Sequence, residues 1–446
     1  MGEADVGRRQ AAYGPGPPMM ASLCGEPPFL PRLAMSADPC DQGRNGRPLL
    51  PLDEARSRLL AAVQPLARDS EPLALDQALG RVLAAPICLD RAEPPVPRSA
   101  MDGFALRSAD GLAPRELLGV VYAGTAGQSE LAPGQAIEVM TGGTVAAGAD
   151  AVIPVEQTEV VEGQLKILAA VQAGQHVRRA GEMGEPGQVV VPEGTVLTTA
   201  ALAAAASCGA DPVAVRPRPR ATVLSTGDEV VAWTETPEAH QVRDANRLAT
   251  ALQLQTAGAQ VLATRRVADE PDRLREAVAA ALDASELVVT IGGVSMGKKD
   301  HLPEVFASLG VERLFHGVAV QPGKPIWVGA RAGRWVVGLP GNPVSSFVMT
   351  ELLVRDLVRA LAGARPRPDL PLQACTITDG VRTRGRERYF PAQCSLDAEG
   401  RPQLSPQAGR GSGDWTVLAR MNALLRVPPH TELAAGAAAH YLPLEC

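Results

Sequence analysis

The sequence predicts a multidomain α/β protein. A doubly wound, mostly parallel sheet domain is joined to a helical N-terminal segment, a β-rich N-terminal module and a C-terminal β-barrel-like domain. Three observations carry this expectation. Strand-like and helix-like segments alternate from Arg220 to Ala362, as βαβ units on a parallel sheet do. Between Glu116 and Gln188 short β-type runs alternate with Gly-rich turns, which suits a small β module. Proline clusters at RPRPR (Arg216 to Arg220) and at Pro366, Pro368 and Pro371 read as stiff connectors on either side of the alternating stretch. The expected division is 1–47 as a disordered extension, 48–90 with 184–217 as an N-terminal linking domain, 91–183 as the β-rich domain, 218–364 as the α/β domain and 365–446 as the C-terminal β domain.

In chain order, residues 1–47 are rich in Gly, Pro and Arg with little periodicity, a composition expected to be disordered. Met35 offers an alternative start. From Leu52 the spacing predicts a helix with Asp53 as N-cap and Leu59, Leu60 and Val63 on one face. A second helix is expected from Leu75 to Ala84. Pro94, Pro95 and Pro97 then end regular structure, and Asp102-Gly103 gives a turn signal. The runs LLGVVYAG, AIEVMTGG, AVIPVEQTEV and QLKILAAV supply the strands of the β module. Within it Thr141 stands beside two glycines, and Arg178, Arg179 and Glu182 precede a turn. An Ala-rich helix, Thr199 to Cys208, ends on Gly209, a favourable C-cap.

The α/β stretch centres on ELVVTIGGVSMGKKD, Glu286 to Asp300. Its unbroken apolar run fits a strand covered on both faces. Gly292 and Gly293 then permit a sharp turn or close approach to a ligand. Open α/β sheets bind ligands at the carboxyl ends of their strands, and several such loops here carry polar chemistry. They hold Thr226, Asp228 and Glu229; Asp269 and Glu270; Ser295 and Asp300; and Lys324. The loop containing Pro340, Gly341 and Asn342 enters a long helix, Pro343 to Ala362, with Asn342 as N-cap. Free N–H groups and the helix dipole at that point favour an anion. Together the loops predict a pocket for a phosphorylated molecule. Beyond it, Arg384, Arg386 and Ser412 in the C-terminal domain are candidate anion contacts.

The net charge of −6 and the absence of a basic block argue against nucleic acid, whose phosphates need clustered Lys and Arg. Aromatic residues amount to 3%, too few for base-stacking platforms. No apolar run approaches the roughly 18 residues of a membrane span. Seven scattered cysteines without a CxxC pair suit reduced thiols in the cytoplasm. The six dispersed histidines offer no spacing for a transition-metal site.

Taken together, SAMDGFALR, MTGGT, EQTE, RRAGE, STGDEV, DANR, TIGGVSMGKKD, QPGKP, LPGNPVS, RGRERYF and GRGS resemble the molybdenum insertases, the molybdopterin molybdenumtransferase family of MoeA and the gephyrin E-domain. The motifs run in family order through everything except the N-terminal extension. The resemblance implies an elongated, four-part subunit of a homodimer whose sheet domain binds molybdopterin. It also implies the closing step of molybdenum cofactor synthesis, in which adenylylated molybdopterin and molybdate give the cofactor and AMP, with Mg²⁺ assisting. Asp102, Thr141, Glu229, Asp269 and Asp300 match its catalytic motifs, the last three as partners of Mg²⁺. Thr226, Gly292, Gly293, Ser295, Gly297, Lys324, Pro340, Gly341, Asn342, Arg386 and Ser412 match its substrate-binding positions. An upstream molybdopterin adenylyltransferase and recipient molybdoenzymes are the implied protein partners.

Three positions depart from the pattern. Met183 stands where an acid is frequent, and Gly317 and Gln321 stand where lysines are frequent. These departures leave a non-catalytic molybdopterin carrier or assembly scaffold as the alternative to an enzyme.

Overall fold

The computed structural model describes residues 49–125, 130–294, 300–367, 369–407 and 409–444. The first helix, α1 (Leu52–Ala62), is capped by the backbone of Pro51, and Asp53 lies in its first turn without a side-chain capping bond. The expected Asp53 cap is thus a dipole-compensating residue of the first turn. The expected second helix does not form. Only a 3₁₀ turn, Leu75–Gln77, is present, and Gly80 adopts φ 73°. The N–H of Gly80 donates to Leu197 O at 2.8 Å and that of Leu197 donates to Arg81 O at 2.8 Å. Pairing with the distant 195–197 segment thus takes the backbone groups that a helix would have used.

The β module contains β1 (Gly103–Leu106), β2 (Arg115–Val121), β3 (Gln135–Val139), β4 (Ala151–Pro154), β5 (Thr158–Val161) and β6 (Gln164–Ile167). They form one sheet in the order β4-β1-β3-β2-β6-β5. The Asp102-Gly103 signal is a bend that feeds β1. A Cβ on Gly103 would lie 2.1 Å from Ile153 O, so glycine lets two strands meet there. Its apolar clusters draw only on the module's own residues. Helix α2 (Thr199–Ser207) follows, capped by the Thr198 side chain, and Gly209 closes it at φ 70°.

The sheet domain holds β7 (Arg220–Thr226), α3 (Ala245–Thr256), β8 (Gln260–Val267), α4 (Pro271–Ala284), β9 (Leu287–Ile291), α5 (Leu302–Ser308), β10 (Glu312–His316), β11 (Trp327–Arg331) and β12 (Arg334–Leu339). Strand order is β8-β7-β9-β12-β11-β10. β7 pairs parallel with β8 and β9, and β9 pairs parallel with β12. β11 runs against both its neighbours. All five residues of β9 are buried, as expected of a strand covered on both faces. The long closing helix is continuous but not uniform: α6 (Pro343–Met349), a π turn at Thr350–Val354, and α7 (Arg355–Leu361).

Beyond the connector, β13 (Gln373–Ile377), β14 (Glu387–Leu396), β15 (Pro402–Pro406), β16 (Ala423–Val427) and β17 (Ala438–Pro443) close into a barrel, because β14 pairs with both β15 and β16. Val320–Gln321 of the sheet domain adds to β14. One apolar cluster accordingly joins Leu52 and Leu59 of α1, Val289 and Val337 of the sheet, and Tyr389 and Leu424 of the barrel.

Candidate active site

Three neighbouring parallel strands end at one place. β7 delivers Thr226, β9 delivers Gly292 and Gly293, and β12 delivers Pro340, Gly341 and Asn342. Gly292 and Gly293 have φ of 90° and 64°, values that L side chains rarely adopt. A Cβ on Gly292 would stand 2.9 Å from Thr226 O, and one on Gly341 would stand 3.7 Å from Gly292 Cα. Backbone thus packs against backbone, leaving polar main-chain groups in the loops at the strand ends. Thr226 Oγ1 donates to Asp269 Oδ1 at 3.1 Å. The Glu229 carboxylate folds over Gly227, where a Cβ would lie 2.8 Å from it.

A buried network props this floor. Ser225 Oγ and Arg247 Nε both donate to Asp244 Oδ2 at 2.6 Å, while Asp244 Oδ1 accepts the α3 cap bond from Arg247 N at 3.2 Å. Asn246 Nδ2 donates to Gly341 O at 2.7 Å. Asp244 and Asn246 belong to the DANR motif, and sequence reasoning gave neither a role.

Beside the strand ends lies a cavity of about 290 Å³ between the sheet domain and the barrel, lined among others by Lys324, Pro340, Asn342, Arg386, Arg388 and Ser412. Asn342 Nδ2 donates to Ser412 Oγ at 2.9 Å, and Val344 N donates to Ser412 O at 3.1 Å. These bonds correct the expectation at this helix start. The Asn342 side chain does not cap α6, and one of its first-turn amides is already engaged. Arg388 was missed. It stacks on Phe390 with its guanidinium carbon 4.0 Å from the ring centroid, and burial lowers its pKa. The strand period of two, which sets Arg386 and Arg388 on one face of RGRERYF, was the available signal. Arg384 is exposed and does not line this cavity.

Asp102 and Thr141 form a separate, exposed pair on the β module. Thr141 N and Thr141 Oγ1 each donate to Asp102 Oδ1 at 2.7 Å. Those bonds, the backbone one first, hold the Asp102 carboxyl below its ordinary pKa. No hydrogen bond among the described residues joins this pair to the strand-end loops.

Of the other expected positions, Ser295 and Gly297 lie outside the described residues. Asp300 stands half-buried at the entry to α5. Among the described residues no three acidic, imidazole or thiol groups converge as a metal cage, so Glu229, Asp269 and Asp300 are not one preformed ligand set. Their oxygen donors still suit Mg²⁺, which commonly binds one or two carboxylates and takes its remaining ligands from phosphate and water. Gly317 has φ 91°, and a Cβ there would lie 2.7 Å from Leu49 Cδ2, which accounts for glycine at that departure. Met183 is exposed and Gln321 lines the cavity.

These features define a class: a multidomain α/β protein with a glycine-floored, cation-walled site at the carboxyl ends of a parallel sheet. The chain matches three family profiles in succession: the MoeA N-terminal region (domain I and II) over residues 50–209, a probable molybdopterin binding domain over 222–360, and the MoeA C-terminal region (domain IV) over 378–444. It is 33% identical to the molybdopterin molybdenumtransferase of Synechocystis over 365 residues, covering 80% of this chain and 90% of that one. Its identity to the Haemophilus influenzae molybdopterin molybdenumtransferase is 35% over 381 residues, covering 84% and 94%. The crystal structure of a molybdopterin biosynthesis MoeA protein from Pyrococcus horikoshii superposes with a TM-score of 0.74 at 25% identity, covering 88% of this chain and 99% of that one. The chain belongs to the molybdopterin molybdenumtransferase family.

Proposed function

We propose that this protein completes molybdenum cofactor synthesis by inserting molybdate into adenylylated molybdopterin with release of AMP. The observation that carries the reading is the convergence of Thr226, Gly292, Gly293 and Gly341 at three parallel strand ends, a floor suited to a phosphorylated ligand. Glu229, Asp269 and Asp300 would hold Mg²⁺ through carboxylate oxygens or intervening water. Bound there, Mg²⁺ would neutralise the substrate's phosphates and polarise the phosphoanhydride that must cleave. Lys324, Arg386, Arg388 and Ser412 surround a space suited to a small oxyanion such as molybdate, because cations and hydroxyl donors favour its charge.

The reading includes a cytoplasmic homodimer. Exposed Asp102 and Thr141 would act on the strand-end site of a second copy. A molybdopterin adenylyltransferase would supply the substrate, and apo-molybdoenzymes would receive the product. No helix of the described residues is long and apolar enough to cross a membrane.

Purified protein supplied with adenylylated molybdopterin, Mg²⁺ and molybdate should release AMP and yield cofactor that activates an apo-molybdoenzyme. Release no greater than that of an Asp300→Ala variant would overturn the proposal. Exposed Met183 in place of an acid favours a second reading, a molybdopterin carrier, which requires tight pterin binding without turnover.

A further inference from the structure

We propose that a cleft between the linking segment and the sheet domain is a second anion site, taking a small molecule that bears a pyrophosphate group. Its volume is about 580 Å³, twice that of the cavity beside the strand ends, at about 290 Å³, and within the usual range for small-molecule sites. One wall presents Arg81, Thr199, Arg216 and Arg218, and the other presents Arg359 and Arg367. None of its lining residues is acidic.

The guanidinium groups are only partly neutralised. Arg81 pairs with Glu71, Arg216 with Glu193 at 2.6 Å, and Arg359 with Asp356 at 3.9 Å. Among the described residues neither Arg218 nor Arg367 pairs with a carboxylate, so positive charge remains in excess on both walls.

Arg81 supplies an independent sign of a ligand. It is 8% exposed, and its Nε–H is buried without an acceptor. The Arg216 Nε–H is likewise buried without an acceptor. Buried donors without partners are rare because desolvation is costly, so hydrogen-bonding capacity is left unused on two arginines whose side chains line the cleft. Thr199 opens α2, so the positive end of that nine-residue helix adds to the same field.

A competing explanation is that the arginines neutralise the carboxyl ends of α3 and α7, which also reach the cleft. The backbone already closes those ends. Ala257 N and Gly258 N bond Gln253 O and Gln255 O, and Ala362 N and Gly363 N bond Val358 O and Ala360 O. Arg81, Arg216 and Arg218 donate to none of these carbonyls. Cations on two facing walls are better matched by linked phosphates than by one, and exposed Leu79 at the rim offers apolar surface to a nucleoside. A ligand held by both walls would fasten the linking segment to the sheet domain.

Calorimetric titration of full-length protein with inorganic pyrophosphate, and separately with ADP, tests the site. The comparison variants are Arg218→Glu/Arg367→Glu, Arg218→Gln and, as the strand-end control, Arg386→Glu. Among the described residues exposed Arg218 and Arg367 hold no ion pair, so circular dichroism should show the folded protein, and Arg218→Gln provides a reading if the double variant fails to fold. Calorimetry should resolve two pyrophosphate sites, one at the strand ends and one in the cleft. The double variant should weaken the cleft site at least tenfold, Arg218→Gln should weaken it measurably, and Arg386→Glu should change only the strand-end site. Tighter binding of ADP than of pyrophosphate would support a nucleoside-bearing ligand. No pyrophosphate binding, equal affinity in folded cleft variants and wild type, or loss that follows Arg386→Glu instead would overturn the proposal. Binding of an acidic peptide in place of pyrophosphate would overturn it too.

Discussion

Gly292 combines a φ of 90° with a space that a Cβ would enter 2.9 Å from Thr226 O. Gly292→Ala should therefore cost about 1–3 kcal/mol of stability and reduce AMP release beyond what the lost folded fraction explains. Thermal denaturation alongside a single-turnover assay separates the two effects, and full activity in the variant would remove Gly292 from the site. Asp102 is different because it is exposed and its carboxyl is held low by Thr141. A depressed pKa stabilises the folded state above the ordinary carboxylate value, and that contribution disappears as pH falls through the depressed value. Asp102 should thus stay ionised across neutral and mildly acid assays. Asp102→Ala should lose activity with little change in melting temperature, and mixing it with Asp300→Ala subunits should restore part of the activity if the two residues act across a dimer. The glycines were legible in the sequence because their chemistry is local. Arg388 was overlooked although the strand period sets it on the face of Arg386, because its burial, which lowers its pKa, is a property of the folded protein and not of the local sequence.

Strand β1 shows how one residue sets an element. A side chain at position 103 would bring its Cβ within 2.1 Å of Ile153 O. Gly103→Ala should therefore push β1 from β4 and cost about 1–3 kcal/mol by overpacking. Hydrogen exchange should show lost protection across β1, β3 and β4, while β7 and β9 keep theirs. Protection lost uniformly across the chain would contradict this. The α/β alternation was readable because each segment has a clear period, yet two elements were not. The Leu75–Ala84 segment has helix-like composition but bonds instead to the backbone of residues 195–197, a contact between distant residues. β11 was unrecognised because it is short and enters the sheet antiparallel through a two-residue turn, Ala332-Gly333, with φ of 50° and 77°, where alanine is an unusual choice.

The whole protein has an uneven distribution of cohesion. α1, the sheet and the barrel share one apolar cluster, and Arg56 of α1, 3% exposed, bonds Asp356 of α7 at 2.5 Å. Asp356→Ala removes the carboxylate that buried Arg56 engages and should destabilise by about 1–3 kcal/mol, lowering one calorimetric transition common to those three parts. The β module, with its own clusters, should melt in a separate step. A coincident transition for all parts would contradict that division. The proline connectors made the sheet domain and barrel look independent in the sequence, because punctuation in a chain marks a change of element and says nothing of whether the flanking elements pack together.

The shared cluster also sets where related proteins can be recombined. A chimaera spliced at the connector after α7 would pair a foreign barrel with side chains selected for another partner, including Tyr389 and Leu424, and should fold poorly despite its convenient junction. Exchange of the β module cuts across no comparable packing, since its apolar clusters draw only on its own residues, so the exposed Asp102–Thr141 pair could be transplanted between relatives while the cavity walls stay native.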